Sequence, residues 1–435
     1  MFRSNIRIIA GLAVLITLST RVDAAGYIYS RFDTIAVMPF QNDTNDASLN
    51  WLSMGIPESI TVDFSAEAGF VIIERLQLWR IMEEQALQVA GAVSDASAME
   101  VGQLLGANLL VVGAFQKQGN TMRLTARFVD AASGSVVQTA KVTGRLNDIF
   151  ELQDKLVSEL LTGMRLSTAG TKSFGPVHDL TKSLEAFQHF GQASLFHAQR
   201  NYQGAVEQLQ RAIDLDPGFS VARERYSELF LSLEADSYWE YETTTSDSDK
   251  EEFLSVSIHR AGGINALKGR WYHTSVRKVD DSLSGSEPSG RIVDYYDRRE
   301  DGIYIAGILT DPERGTESLT LYNPSVLLFP FDLEVGQKWS SLSMLKERRP
   351  SAGGENGQWQ ATVVGREELE IDRAEFFDCY VIEYDKWIPG SGAPATVWFA
   401  PGIGVVKVVQ AATAEKAIGP TTQIQMILRA YHFEH

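Results

Sequence analysis

One cysteine, Cys379, stands in 435 residues, so no internal disulfide can form and packing alone must hold the fold. It lies in the alternating run FFDCYVI at 376–382, which reads as a strand with a buried, inert thiol, the alternative being a reactive one. No apolar run reaches the ~20 residues that a membrane-spanning helix needs. Positive charge is also short: 39 Lys+Arg against 56 Asp+Glu give a formal net charge of −17. A field of that sign repels phosphate backbones and anionic lipid surfaces, which argues against nucleic acid and unassisted membrane binding and leaves basic partners open. Catalytic signatures are missing as well. There is no Gly-x-Ser-x-Gly elbow, no His-Glu-x-x-His pair, no phosphate loop and no cysteine pair, and the 7 histidines are scattered. The expectation is a protein without enzymatic activity, cofactor or metal, with a hydrolase built from a spatial triad as the reading to test against it.

What is present starts with Arg3 and Arg7, an apolar run at 8–18, and the small residues of VDA at 22–24. That order reads as a cleaved secretory signal over 1–24, retention as an anchor being the competing reading. Cleavage removes three Arg and one Asp and moves the net charge from −17 to −19. The expected location is periplasmic or secreted, with peripheral association with the outer membrane open and no integral membrane segment left after cleavage. With 44% hydrophobic residues, the remaining chain can bury two or three domain cores.

Residues 34–40 read as a buried strand, and Pro57 marks the first turn of a helix carrying Ile60 and Phe64. A short strand at 70–74 and a helix at 76–87 follow. Ser97 with Glu100 forms a capping box ahead of a helix at 98–105, and strands are expected at 107–117, 121–130 and 135–144. Ile149, Leu152, Leu156, Leu160 and Leu161 then make one stripe of a closing helix. The motifs IAVMPF at 35–40, ANLLVVG at 107–113 and RFVDAASG at 127–134, in that order, resemble the domain shared by the amino-terminal part of the periplasmic Tol translocation protein and the curli-secretion subunits. The resemblance covers about a third of the chain and implies an α/β domain over 30–166, an envelope setting and an organising rather than enzymatic role. Two features depart from it. No cysteine lies near the cut, so the lipid attachment of many relatives is not open to this chain. The turns at 118–120 and 131–134 leave no room for pore-forming hairpins, whose strands need ~10 residues each. Asn42, Asp43 and Asn45 read as turn chemistry rather than calcium ligands, since the loop lacks the glycine that calcium binding requires.

Residues 178–235 resemble a tetratricopeptide repeat, most clearly where Tyr202, Ala205, Leu209, Ala212 and Pro217 occupy its second-helix positions. About one and a half units are present, too few to bury a continuous core alone, so the helices must dock on a neighbour. They are either a spacer or a partner-binding groove, for which Tyr202, Gln203, Glu207, Gln210 and Tyr226 are the candidate residues. His189 and His197, eight positions apart, are too distant to share a metal.

From 236 to 435 aromatic and polar residues alternate between Gly, Asp and Ser turns, which reads as an antiparallel β sandwich or open barrel. Ten strands are expected, at 237–244, 253–259, 269–276, 292–298, 302–308, 359–368, 377–387, 395–399, 404–409 and 423–431. The segments FDLEVGQKW at 331–339 and WFAPGIGVVK at 398–407 resemble signatures of uncharacterised bacterial envelope β-domains. The acidic stretch at 247–252 reads as a solvated hairpin tip. The dense aromatics are either core or a cradle for a sugar or lipid, and Trp271, Tyr296, Trp339 and Trp398 are the candidate ligand residues. The whole is expected to be an α+β multidomain chain: an exported, non-enzymatic assembly, scaffold or regulatory factor working through contacts with envelope proteins, oligomerisation being open. The alternative is a periplasmic ligand-binding module whose aromatic β-domain holds a glycan, lipid or peptidoglycan fragment.

Overall fold

The computed structural model describes residues 34–433 apart from 68–69, 74–77, 79–94, 164–179, 234, 236, 248–249, 268–269, 281–290, 311–317, 348–355, 372–374, 389–392 and 412–422. The expected signal at 1–24 and, Leu78 apart, the helix expected at 76–87 lie outside the described residues.

The first domain builds one sheet in the order β3 (Val71–Ile72), β1 (Thr34–Val37), β4 (Leu109–Gln118), β5 (Thr121–Asp130) and β6 (Val136–Arg145), with β2 (Gln41–Asn42) also pairing with β4. Strand β1 is parallel to both neighbours, whereas β4, β5 and β6 form an antiparallel meander. A strand covered on both faces reads as a continuous apolar run, and β1 shows why. Ile35 and Val37 pack into the layer formed by helices α1 (Leu52–Glu67) and α3 (Ile149–Gly163), while Ala36 and Met38 pack on the other face with Val101 of helix α2 (Asp95–Leu104). The motif that follows is fixed by a close approach. A Cβ at Gly113 would lie 2.3 Å from Cζ of Phe40, so only glycine on β4 leaves a seat for the buried phenyl ring. The turns after β4 and β5 are tight: Gln118 pairs with Thr121, and Gly134 N–H donates to Asp130 C=O at 2.8 Å. No hairpin extends from either.

Three helices come next: α4 (Leu184–Ala198), α5 (Tyr202–Leu215) and α6 (Ser220–Phe230). Ser183 caps α4 by accepting from Ala186 N–H, and Asn201 caps α5 by accepting from Gly204 N–H. The tetratricopeptide reading is not upheld. These helices form no repeat stack with a free groove, because both sides of the group are spent on neighbours. On one side Phe187 of α4 meets Trp51 edge-on at 5.7 Å and Phe150 at 5.1 Å. On the other side the end of α6 enters the mouth of the β-domain.

That β-domain is neither a sandwich nor an open barrel, which corrects the sequence reading. Strands β7 (Tyr238–Asp247) to β18 (Gln423–His432) close into a twelve-stranded antiparallel barrel in which sequence neighbours pair and β18 joins β7. Closure removes the sheet edges that an open form would expose. Two strands were absent from the ten expected, β12 (Ser318–Pro330) and β13 (Lys338–Glu347). β12 contains Pro324, a residue that central strands exclude. The register explains its tolerance. Pairing with β11 (Gly302–Thr310) jumps from Ile305↔Val326 to Gly307↔Leu321, so Pro324 sits in an excursion of the strand where β11 asks no ladder hydrogen bond of it.

Candidate functional site

The helix–barrel seam is built by aromatic side chains aimed at one mouth. Phe230, at the end of α6, packs on Phe331 (5.0 Å between centroids) and Phe399 (5.2 Å), and Phe399 stacks on Phe329 at 4.0 Å. Behind them Trp387 and Tyr384 fill the lumen, 4.9 Å apart. Main-chain bonds latch the same seam. Gly402 N–H donates to Phe230 C=O at 3.0 Å, and Gly402 takes φ +88° with no room for a side chain beside Tyr202 C=O. Arg298 donates to Leu231 C=O at 3.3 Å, and His273 bonds the main chain of Leu233. A helix end pointing into a barrel thus has cationic or polar donors on carbonyls that would otherwise be orphaned.

The expected partner residues divide between this seam and solvent. Tyr202 is buried against Phe433 at 4.9 Å, and burial pushes its phenol up to about 12. Tyr226 donates its hydroxyl to Phe331 C=O at 2.7 Å, and burial raises its pKa. Gln203 reaches the barrel by donating to Asp378 C=O at 3.0 Å. Glu207 and Gln210 face outward, Glu207 paired with Arg211 at 2.6 Å and Gln210 donating to Asp214 at 2.9 Å. Between the α4–α5 turn and β18 lies a cavity of about 310 Å³ lined by Arg200, Tyr202, Glu375, Arg429, Tyr431 and Phe433, among others.

The expected ligand aromatics do not converge. Trp398 lies on the outer wall, where it donates to Glu367 at 2.7 Å and carries Lys407 over its ring. Trp339 donates to Leu327 C=O at 3.2 Å and meets Tyr384 edge-on. Trp271 lies on β9 (Arg270–Asp280) opposite Ala266, and its side chain falls outside the described ones. Tyr296 alone faces the polar part of the lumen.

That polar part was missed from sequence. Trp239, His259, Arg277 and Ile292 are successive register partners on β7, β8 (Lys250–Leu267), β9 and β10 (Arg291–Arg299), so they share the inner face. Arg277 grips Asp294 with Nε at 2.7 Å and a terminal nitrogen at 2.9 Å, and the Asp294 side chain is 1% exposed. Burial raises the Asp294 pKa, and the Arg277 guanidinium acts in the opposite direction. His259 lies against the Tyr241 ring at 4.6 Å and 3.3 Å from the Ser257 hydroxyl, and burial, helped by Arg277, drives its pKa well down, so the imidazole is neutral. Tyr241 donates to Val405 C=O at 2.8 Å. The available signal was a charged residue at an inward position of an alternating strand, as Asp294 is in RIVDYYDR.

Among the described residues no three His, Cys, Asp or Glu gather to hold a metal, and no helix is long and apolar enough to cross a membrane. The outer wall carries charges in the middle of its strands, including the Arg366–Asp378 pair and Glu242–Arg429 at 2.6 Å. Cys379 is buried, and burial pushes its thiol up to about 12.

The class these features define is a small α/β domain clamped by three helices onto a closed antiparallel barrel. Residues 30–143 match the family model of the curli production assembly/transport component CsgG, so the first domain is CsgG-like, of a kind found in an envelope assembly and transport component. Over 209 residues the chain is 26% identical to a Rhizobium meliloti (strain 1021) protein named "Putative adenylate cyclase 3", covering 46% of this chain and 33% of that protein. The chain therefore spans about a third of the length of that curated relative. Among solved structures, the LpoB C-terminal domain of Salmonella enterica is 14% identical, covering 27% of this chain and 85% of that one at a TM-score of 0.24. Lipoprotein GNA1162 of Neisseria meningitidis is 19% identical, covering 26% and 79% at 0.23. Scores of this size carry no argument for the fold, which rests on the strand topology above.

Proposed function

We propose that this chain is an exported, non-enzymatic protein of the bacterial cell envelope that acts as an assembly, scaffold or regulatory factor through protein contacts. One observation carries the reading: a single apolar core runs from the CsgG-like sheet through α4, α5 and α6 into the barrel mouth. The helices fix two domains to one another and leave the acidic, polar face of α5 to solvent. Such a body presents surfaces in a set relation, which is what a scaffold requires. The CsgG-like domain supports the envelope setting, and its tight turns favour contact over pore formation.

The test is photo-crosslinking in cells from Glu207 and Gln210, followed by mass spectrometry of the tagged periplasmic fraction. The expected result is one recurrent envelope protein. Crosslinks to this chain alone would overturn the contact reading, and a native protein that stayed in the cytoplasm with residues 1–24 intact would overturn export. A second reading, a periplasmic ligand-binding module, is favoured by the polar lumen of the barrel rather than by Trp339 and Trp398.

A further inference from the structure

The barrel lumen holds a buried ion pair, a neutral imidazole and two tyrosines where apolar side chains would fill it at lower cost. Taking charged groups out of water is repaid only by good geometry, and a buried pair is commonly no more stabilising than packed hydrophobic side chains of the same volume. The other end of the same lumen takes the apolar solution, with Phe329, Phe399 and Trp387. The polar end is therefore not forced by the fold. It is also not fully packed. His259 and Tyr296 face the lumen from adjoining parts of the wall and are only partly buried, so neighbouring side chains do not close over either of them.

We propose that this end of the lumen binds a small, uncharged, polyhydroxylated molecule. The wall sets the class. Arg277 and Asp294 cancel in charge, and His259 is neutral, so a ligand with net charge would enter without a counter-ion and lose its hydration. An acyl chain would offer no hydrogen bond to the Tyr296 hydroxyl or to the N–H groups of Arg277 beyond those that Asp294 takes. A sugar-like molecule meets both demands. Its hydroxyls pair with the Tyr296 hydroxyl and the outer nitrogens of Arg277, and its C–H face lies on the ring of Tyr296. The assignment is independent of the contact role above, so either can fail alone.

The test is saturation-transfer NMR and calorimetric titration of the whole protein with three probes: glucose, N-acetylglucosamine and glucuronic acid. Binding of a neutral probe is expected, with Tyr296→Phe weakening it about tenfold through one lost hydrogen bond. The double variant Arg277→Met with Asp294→Leu should abolish binding while keeping or raising the melting temperature, which separates a ligand site from a structural pair. Three results would overturn the proposal: no transfer to any probe, tighter binding of glucuronic acid than of glucose, or binding unchanged in both variants. If the double variant fails to fold, Tyr296→Phe together with His259→Leu carries the decision.

Discussion

The apolar and polar ends of the barrel lumen are lined by different strands, β12 and β16 at the first and β8, β9 and β10 at the second, and filled by opposite chemistry. At the mouth, Phe230, Phe329, Phe331 and Phe399 exclude water and weld the helices to the strands. Deeper in, Arg277, Asp294, His259 and Tyr296 are enclosed but polar. Apolar burial yields roughly 25 cal/mol per Å² wherever it occurs, whereas a buried ion pair commonly does no better than break even with it. The first end is thus where stability is made, and the second is where stability has been given up for another property. The most severe way to break that contrast is Phe399→Ala, which leaves a cavity shared by the barrel and α6. An expected loss of about 4 kcal/mol, read from the urea midpoint at constant slope, marks the mouth as the principal join. A loss under about 1 kcal/mol would mean that the seam is held elsewhere.

The polar end gives the complementary test. Arg277→Leu removes one partner and strands the Asp294 carboxylate in the lumen, for an expected loss of about 3 kcal/mol. Adding Asp294→Leu should recover most of it, because the cost lies in the orphaned charge and not in the lost attraction. A double-mutant cycle on melting temperature reads this directly. If the double variant were as unstable as the single one, the pair would be structural and the two ends would not differ in kind.

The ease with which each region could be foreseen follows from where its information lies. In the α/β domain the signals are local: IAVMPF reads as a two-faced strand, and Ile149, Leu152, Leu156 and Leu160 read as one helical stripe. Closure of the barrel is not local. It depends on β18 meeting β7 across nearly two hundred residues and on two strands whose own patterns are weak, β12 interrupted by Pro324 and β13 carrying Leu342 outward at 68% exposure. The helices showed their small and apolar positions, but those positions could not say that the surfaces would be spent on Trp51 and Phe331. The candidate aromatics were visible as residues, and the register alone decides that Trp398 is outside and Tyr296 inside. Asp294 and Arg277 were ordinary strand charges until pairing put both on the inner face.

At the boundary between the two ends sits His273, whose pKa is pushed down to about 4 by burial first and by Arg298 second, against the opposite pull of the Leu233 main chain and Asp297. In the unfolded chain the same imidazole titrates near 6.5. Between those values the unfolded state binds a proton that the folded state refuses, so this contribution is fully present above about pH 6.5 and is lost as pH falls toward 4. Because the ring is only half-buried, about 2 kcal/mol is the expected size after solvent screening. His259 acts in the same direction. Melting curves at pH 7, 5.5 and 4.5 should show His273→Asn losing less stability on acidification than the native chain. Parallel curves would place acid sensitivity in the polar end alone.

The smallest effect belongs to neither end. Glu207 and Arg211 form a 2.6 Å ion pair on α5 with 61% and 53% of their side chains exposed. Both charges remain largely solvated, and ordering two long side chains offsets most of the attraction, so Glu207→Ala should change stability by less than about 0.5 kcal/mol. The same substitution is the sharper probe of contact, since a residue that contributes little to folding is free to contribute to binding. Retained melting temperature with loss of the crosslink from Gln210 would assign this face to a partner. Retention of both would leave the outward side of α5 as solvated surface and move the search for contacts to the barrel wall around Leu342 and Met344.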